Sequence, residues 1–188
     1  MMQEFVQSVK DTAKKAVDNV HTALPAVITS FDPSSGMAVV QPKAKFKKPN
    51  GETMDYPSVS GVPVVFPQSA GTTIAFPIKA GDGCLLVFSE TAIDYWLYGQ
   101  ETSTDLKFDL SSAIAIPNIA TAGNAAMAQA CAENAVVIQA GGTMLKVSPS
   151  GVEITGKLTV SGEVTGNGVA LSTHTHGGDS GGSTTPPN

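Results

Sequence analysis

Gly81-Asp82-Gly83-Cys84-Leu85-Leu86-Val87-Phe88 contains the most apolar short run in the chain. It reads as a strand that begins after the turn signals of Pro77-Ile-Lys-Ala-Gly-Asp-Gly83. Similar short segments lie on its N-terminal side. Gly71-Thr-Thr-Ile-Ala-Phe76 and Val62-Pro63-Val64-Val65-Phe66 come first. Further back, Ala26-Val27-Ile28-Thr29 and Met37-Ala-Val-Val40 flank Asp32-Pro-Ser-Ser-Gly36, which predicts a hairpin. Between them, Lys43, Lys45 and Lys47 alternate with Ala44 and Phe46 ahead of the turn Pro49-Asn50-Gly51. On the C-terminal side, Thr91-Ala-Ile-Asp-Tyr-Trp96 holds the single tryptophan. About five short strands separated by turns predict a small closed barrel, with the OB fold as the leading candidate.

Composition sets the outer limits. Hydrophobic residues make up 41% of 188, enough for a core, and charged residues only 14%. Low charge with 19 glycines and 12 prolines fits short strands, turns and surfaces buried between subunits. Net charge is −5 and arginine is absent, which argues against nucleic acid as a partner. Cys84 and Cys131 stand in no metal or redox spacing and read as two buried free thiols, as in a chain made in a reducing cytoplasm. The first 15 residues lack the apolar stretch of a secretory signal, and no run approaches a membrane span.

Residues 3–22 predict an amphipathic helix. Phe5, Val6, Val9, Ala13, Ala16, Val17 and Val20 form its apolar stripe, and Pro25 ends it. That stripe must dock either on its own domain or on a neighbouring subunit. Residues 118–134, rich in Ala, Asn and Gly, read as a linker or a short irregular crossing. From 135 to 171, Val136/Ile138, Leu145/Val147, Val152/Ile154 and Leu158/Val160 alternate with polar residues, then Val164, Val169 and Leu171 follow. Glycines break the pattern into strands of four or five residues. Such strands are marginal alone. Three chains wound together would bury their apolar face and remove open edges. Half of an ordinary β-sandwich and a single-chain β-solenoid are the alternatives.

Leu171-Ser-Thr-His174-Thr-His176-Gly-Gly178 holds two of the three histidines. On an extended strand, positions i and i+2 share a face. Two nitrogens are too few for a stable site, but three copies around a three-fold axis would offer six. Imidazole suits iron, nickel, copper and zinc, and six nitrogens disfavour zinc. A catalytic His-x-His site would need further ligands, and only His21 and Asp179 are at hand. The plainest alternative is two exposed histidines in a polar tail. No paired carboxylates, Ser-His-Asp set or phosphate loop stands out, so an enzyme is not expected. Lys43, Lys45, Lys47 and Lys48 form the one basic run. They read as a lysine-guarded edge strand or a subunit contact.

The block Phe76-Pro77-Ile78, Gly81 to Phe88, and Ile93-Asp94-Tyr95-Trp96 resembles the OB domain of baseplate central-spike proteins of Mu-like contractile-tailed phages and R-type pyocins. Asp105-Leu-Lys-Phe-Asp109-Leu110 through Ile116-Pro117 looks like that family's segment leaving the barrel, and His174-Thr-His176-Gly-Gly matches its end. A histidine that often precedes the aspartate in that segment is missing here, so no role depending on it carries over. Joined to the readings above, the resemblance implies a mainly β chain in five parts: an N-terminal helix (1–22), an OB-fold domain (23–117), a linker (118–134), an intertwined three-chain β-helix shaft (135–171) and a tip (172–188). It implies that His174 and His176 of each chain hold one ferrous ion per trimer, and that the last residues fold back. It further implies a homotrimer that meets the tail tube and baseplate hub proteins. Made in the host cytoplasm without a signal peptide, it would sit at the baseplate tip of a virion or tailocin. There it would pierce the outer membrane of the target cell on sheath contraction. The alternative is an OB-fold binding module for nucleic acid or glycan with a β-solenoid tail.

Overall fold

Residues 83–88 lie inside an antiparallel sheet, as their sequence predicts. The computed structural model describes residues 2–18, 20–48, 50–100, 105–119, 122–178 and 181–185. It divides into two units, Met1–Thr121 and Ala122–Asn188.

The first unit holds α1 (Met2–Asp18), β1 (Ala23–Asp32), β2 (Met37–Pro42), β3 (Lys45–Lys47), β4 (Thr53–Asp55), β5 (Val59–Pro63), β6 (Gln68–Ser69), β7 (Thr72–Thr73), β8 (Gly83–Phe88), α2 (Asp94–Tyr98) and β9 (Ala113–Pro117). Five strands form one sheet in the order β5-β2-β1-β8-β9, every neighbouring pair antiparallel. Just past β5, Val64 bridges Ala115 of β9 in parallel, and the Val65 N–H donates to the Ala115 carbonyl at 2.9 Å. The sheet therefore curls into a half-barrel whose outer strands touch at one point. The two-residue side-chain period puts Ala38 and Val40 of β2, and Cys84, Leu86 and Phe88 of β8, inside. With Ala26, Ile28, Val59, Val62, Val64, Ala113 and Ala115 they form the core. Each large aliphatic side chain buried there contributes about 1.5–3 kcal/mol.

The fifth strand of the sheet is β9, not the 71–76 segment that the sequence favours. β9 pairs with β8 along its whole length, from Cys84↔Pro117 to Phe88↔Ala113. The 71–76 segment contributes only β7, a two-residue ladder with β6. Pro67 and Pro77 bracket these residues, and a proline cannot donate to a ladder. Residues 94–98 are helical, and Trp96 is 73% exposed.

α1 forms as expected but ends at Asp18 and buries none of its residues. Phe5, Val6, Val9 and Val17 stay exposed, so among the described residues of its unit nothing covers the stripe. His21 falls beyond the helix rather than within it. Its ring lies against Tyr56 and Phe88, with centroids 5.6 and 5.7 Å away.

The second unit holds α3 (Ala125–Glu133), β10 (Val136–Ala140), β11 (Thr143–Ser148), β12 (Gly151–Thr155), β13 (Thr165–Gly166) and β14 (Val169–Ala170). The segment 118–134, expected to be a linker, thus contains a helix. Its alanines favour helix, and the Asn124 side chain caps it by accepting from the Met127 N–H at 2.9 Å. Asn134, left-handed at φ 48°, ends it. Cys131 sits on this helix and is exposed, correcting the expectation of two buried thiols; only Cys84 is buried.

β10, β11 and β12 form an antiparallel meander. Its register sets Val136, Val147 and Val152 in one row and Ile138, Leu145 and Ile154 in the next. Both rows lie on one face. Lys146 alternates onto the other face and is ion-paired at 2.8 Å to both Glu133 of α3 and Glu153 of β12. Leu158 and Val160, expected to continue the strand series, lie in irregular backbone. One chain thus presents a meander and a short hairpin where a wound shaft is expected.

Candidate metal centre

The hairpin β13–β14 prepares the histidine segment. Its two turn residues, Asn167 and Gly168, both take positive φ (49° and 82°), the requirement of a tight two-residue hairpin. Below the strands, the Leu171 N–H donates to the Val164 carbonyl at 2.8 Å. Glu163 closes the base. Its carboxylate accepts from the Val164 N–H at 3.0 Å, the Ser172 N–H at 3.2 Å and the Ser172 hydroxyl. The Ser172 hydroxyl above all, then the backbone donors, holds the Glu163 carboxyl below the usual carboxylate range.

His174 follows directly. Its N–H donates to the Ala170 carbonyl at 3.1 Å, and its ring Nδ1 lies 2.8 Å from the Leu171 carbonyl oxygen. A carbonyl only accepts, so Nδ1 carries a proton, and in the neutral ring Nε2 then keeps its lone pair. That is the arrangement of a metal-ligating histidine oriented through its second nitrogen. His176 is fixed by a different partner. Its N–H donates to the Thr184 hydroxyl at 2.9 Å, and the Thr184 N–H donates to its carbonyl at 2.8 Å. Gly177 and Ser183 form an antiparallel bridge beside them. Composition predicts a loose tail here, yet residues 181–185 turn back on 176–178, the return that the resemblance implies. Asp179, the nearest carboxylate in sequence, lies outside the described residues.

The two rings stand 5.0 Å apart, centre to centre, with planes at 83°. The pair packs edge to face. Neutral imidazole nitrogens suit iron, nickel, copper or zinc. A bound ion would act here as a cross-link between the segments that carry its ligands. Among the described residues, no three His, Cys, Asp or Glu side chains gather into a metal site, so an ion at His174 and His176 would need further ligands. His21, in the other unit, is engaged with Tyr56 and Phe88.

The sequence singles out both histidines but gives no sign of Glu163 and Thr184, which bond to the backbone of their segment, or of Ser172, which bonds to Glu163. The Asn167-Gly168 pair was the available signal, since Asn-Gly between short strands marks a tight hairpin. The basic run lies on and beside the β3–β4 hairpin. Lys45 pairs with Asp55 at 3.5 Å and Lys48 with Glu52 at 3.1 Å, both at the surface. Among the described residues, no helix is long and apolar enough to cross a membrane.

A family model described as the phage protein Gp138 N-terminal domain matches residues 24–118, just over half of the chain. The matched stretch runs from β1 to the end of β9, the span of the curled sheet. No curated protein matches the chain.

Proposed function

The chain belongs to the family of the phage protein Gp138 N-terminal domain, and on that footing we propose that it is the central spike of a contractile injection system, a phage tail or tailocin. The family points to a phage structural protein. The finer reading is that a homotrimer, mounted through its curled sheet on the tail tube and baseplate hub, pierces the bacterial outer membrane on sheath contraction. The curled sheet serves as the OB-type collar. Its strand order and the parallel contact between its outer strands support that reading.

The observation that carries the proposal is the bare face of the β10–β12 meander. Six apolar side chains in two aligned rows point away from the Lys146 face, and Val136, Ile138 and Val152 are more than 60% exposed. A monomer would leave this face in water. Three copies would cover one another's rows and protect the strand edges. The same assembly brings three pairs of His174 and His176 together, enough for one ferrous ion in a six-nitrogen cage. The ion adds stability because it binds only the assembled trimer.

Elemental analysis of untagged protein, together with its mass in solution, tests this reading. About one iron per three chains in a particle of three times the 19.2 kDa chain mass is expected. Combining His174→Ala with His176→Ala should remove the metal and lower resistance to heat and detergent. A monomer, or metal content unchanged in the double variant, would overturn it.

A further inference from the structure

We propose that Glu163 is the positioning residue of the metal centre: by closing the Asn167-Gly168 hairpin at its base, it fixes the Leu171 carbonyl that orients the His174 ring. The inference rests on the proposed metal-binding role of His174 and names a residue that neither the sequence motif nor the family match, which ends at residue 118, points to.

Three observations meet at this carboxylate. It spans the hairpin from 163 to 172, accepting from backbone N–H groups on both arms. It also accepts from the Ser172 hydroxyl, two residues before His174. Between those anchors, Leu171 is bonded through its N–H to Val164 and through its carbonyl to the His174 ring. The carbonyl cannot move without stretching the Val164 bond or releasing Glu163 from Ser172. Residues 165–166 and 169–170 supply only two cross-strand pairs. A ladder that short is weak alone, so the Glu163 clasp decides whether the hairpin stays closed. With the hairpin open, the His174 ring loses its carbonyl partner and both tautomers become accessible. A ligand nitrogen protonated part of the time binds a metal less well, and loss of such an outer contact typically weakens affinity about 10–100-fold.

The experiment uses the full-length chain and two readouts. In metal-free protein, nitrogen-15 NMR of the histidine rings reports the tautomer. His174 should be Nδ1-protonated in the wild type and mixed in Glu163→Ala, with Glu163→Gln largely restored because its amide oxygen still accepts from Ser172. In parallel, Co2+ is titrated as the probe. Glu163→Ala should bind it about 10–100-fold more weakly, at unchanged oligomeric mass. Ser172→Ala, which leaves the backbone bonds to Glu163 in place, should give a smaller loss. An unchanged His174 tautomer in Glu163→Ala overturns the clasp. So does Co2+ affinity equal to wild type. If wild type and the double histidine variant take up Co2+ equally, the metal reading itself fails, and the tautomer readout then decides separately whether Glu163 orients the ring.

Discussion

Cys84 and Cys131 share a chemistry and differ in everything around it. Cys84 points into the half-barrel from β8 and is fully buried, and burial alone pushes its thiol up to about 11. Cys131 lies exposed on α3. Only the thiolate attacks alkylating reagents. At pH 8, iodoacetamide should therefore add once per folded chain, at Cys131, and a second time only after unfolding. Intact mass with peptide mapping checks this, and two adducts on the native protein would contradict the burial of β8. The raised value also sets a direction in pH. Its contribution to stability is complete below the ordinary thiol value of ~8.5 and is lost as pH rises toward 11.

Gly83 shows how a single element can depend on a side chain that is missing. It opens β8, its carbonyl accepts from the Asn118 N–H at 3.0 Å, and a Cβ there would run into the Ile119 carbonyl oxygen. Its backbone could suit alanine; the obstacle is the close passage of the chain leaving β9. Gly83→Ala should destabilise the curled sheet by roughly 1–3 kcal/mol, the usual range for overpacking. Thermal unfolding followed by circular dichroism measures it, and an unchanged melting temperature would mean that residues 118–119 can move aside. This constraint was not legible in sequence, where Gly83 looks like one more turn residue before an apolar run. What was legible followed period and punctuation: the β1–β2 hairpin around residues 32–36, β8 itself, and the alternation of β10 to β12. What was lost depended on partners distant in sequence. β9 joins the sheet because Ile114 to Ile116 meet β8, while 71–76 lies between Pro67 and Pro77 and has no long partner. α3 was hidden because Ala, Asn and Gly together look like a linker, although Asn124 and Asn134 are its two caps. Near the C-terminus, the His-x-His pair stands out in the sequence, but the Glu163–Ser172 bond depends on a closed hairpin and could not be read there.

On the proposed trimer, the bare meander face and the histidine pair have the same consequence: copies of the chain would cover the one and complete the other. Six apolar side chains at roughly 1.5–3 kcal/mol when fully covered give a strong drive to associate, before the cost of association is set against it. A charge placed on that face should oppose this drive. Ile138 stands in the second row, opposite Leu145, and is 62% exposed in the single chain. In Ile138→Glu, a trimer would bury three carboxylates without partners, each at a cost of several kcal/mol. With the lost burial of Ile138 added, that cost weakens association, so the variant should shift toward monomer in light scattering. Gln139→Glu is the matched control. It adds the same charge one residue on, where the strand alternation places it on the opposite face, and should leave the trimer intact. If both variants stay trimeric, the meander face is not what holds the copies together. If both dissociate, the face carrying α3 takes part in assembly as well, and the contact must be reassigned to include it.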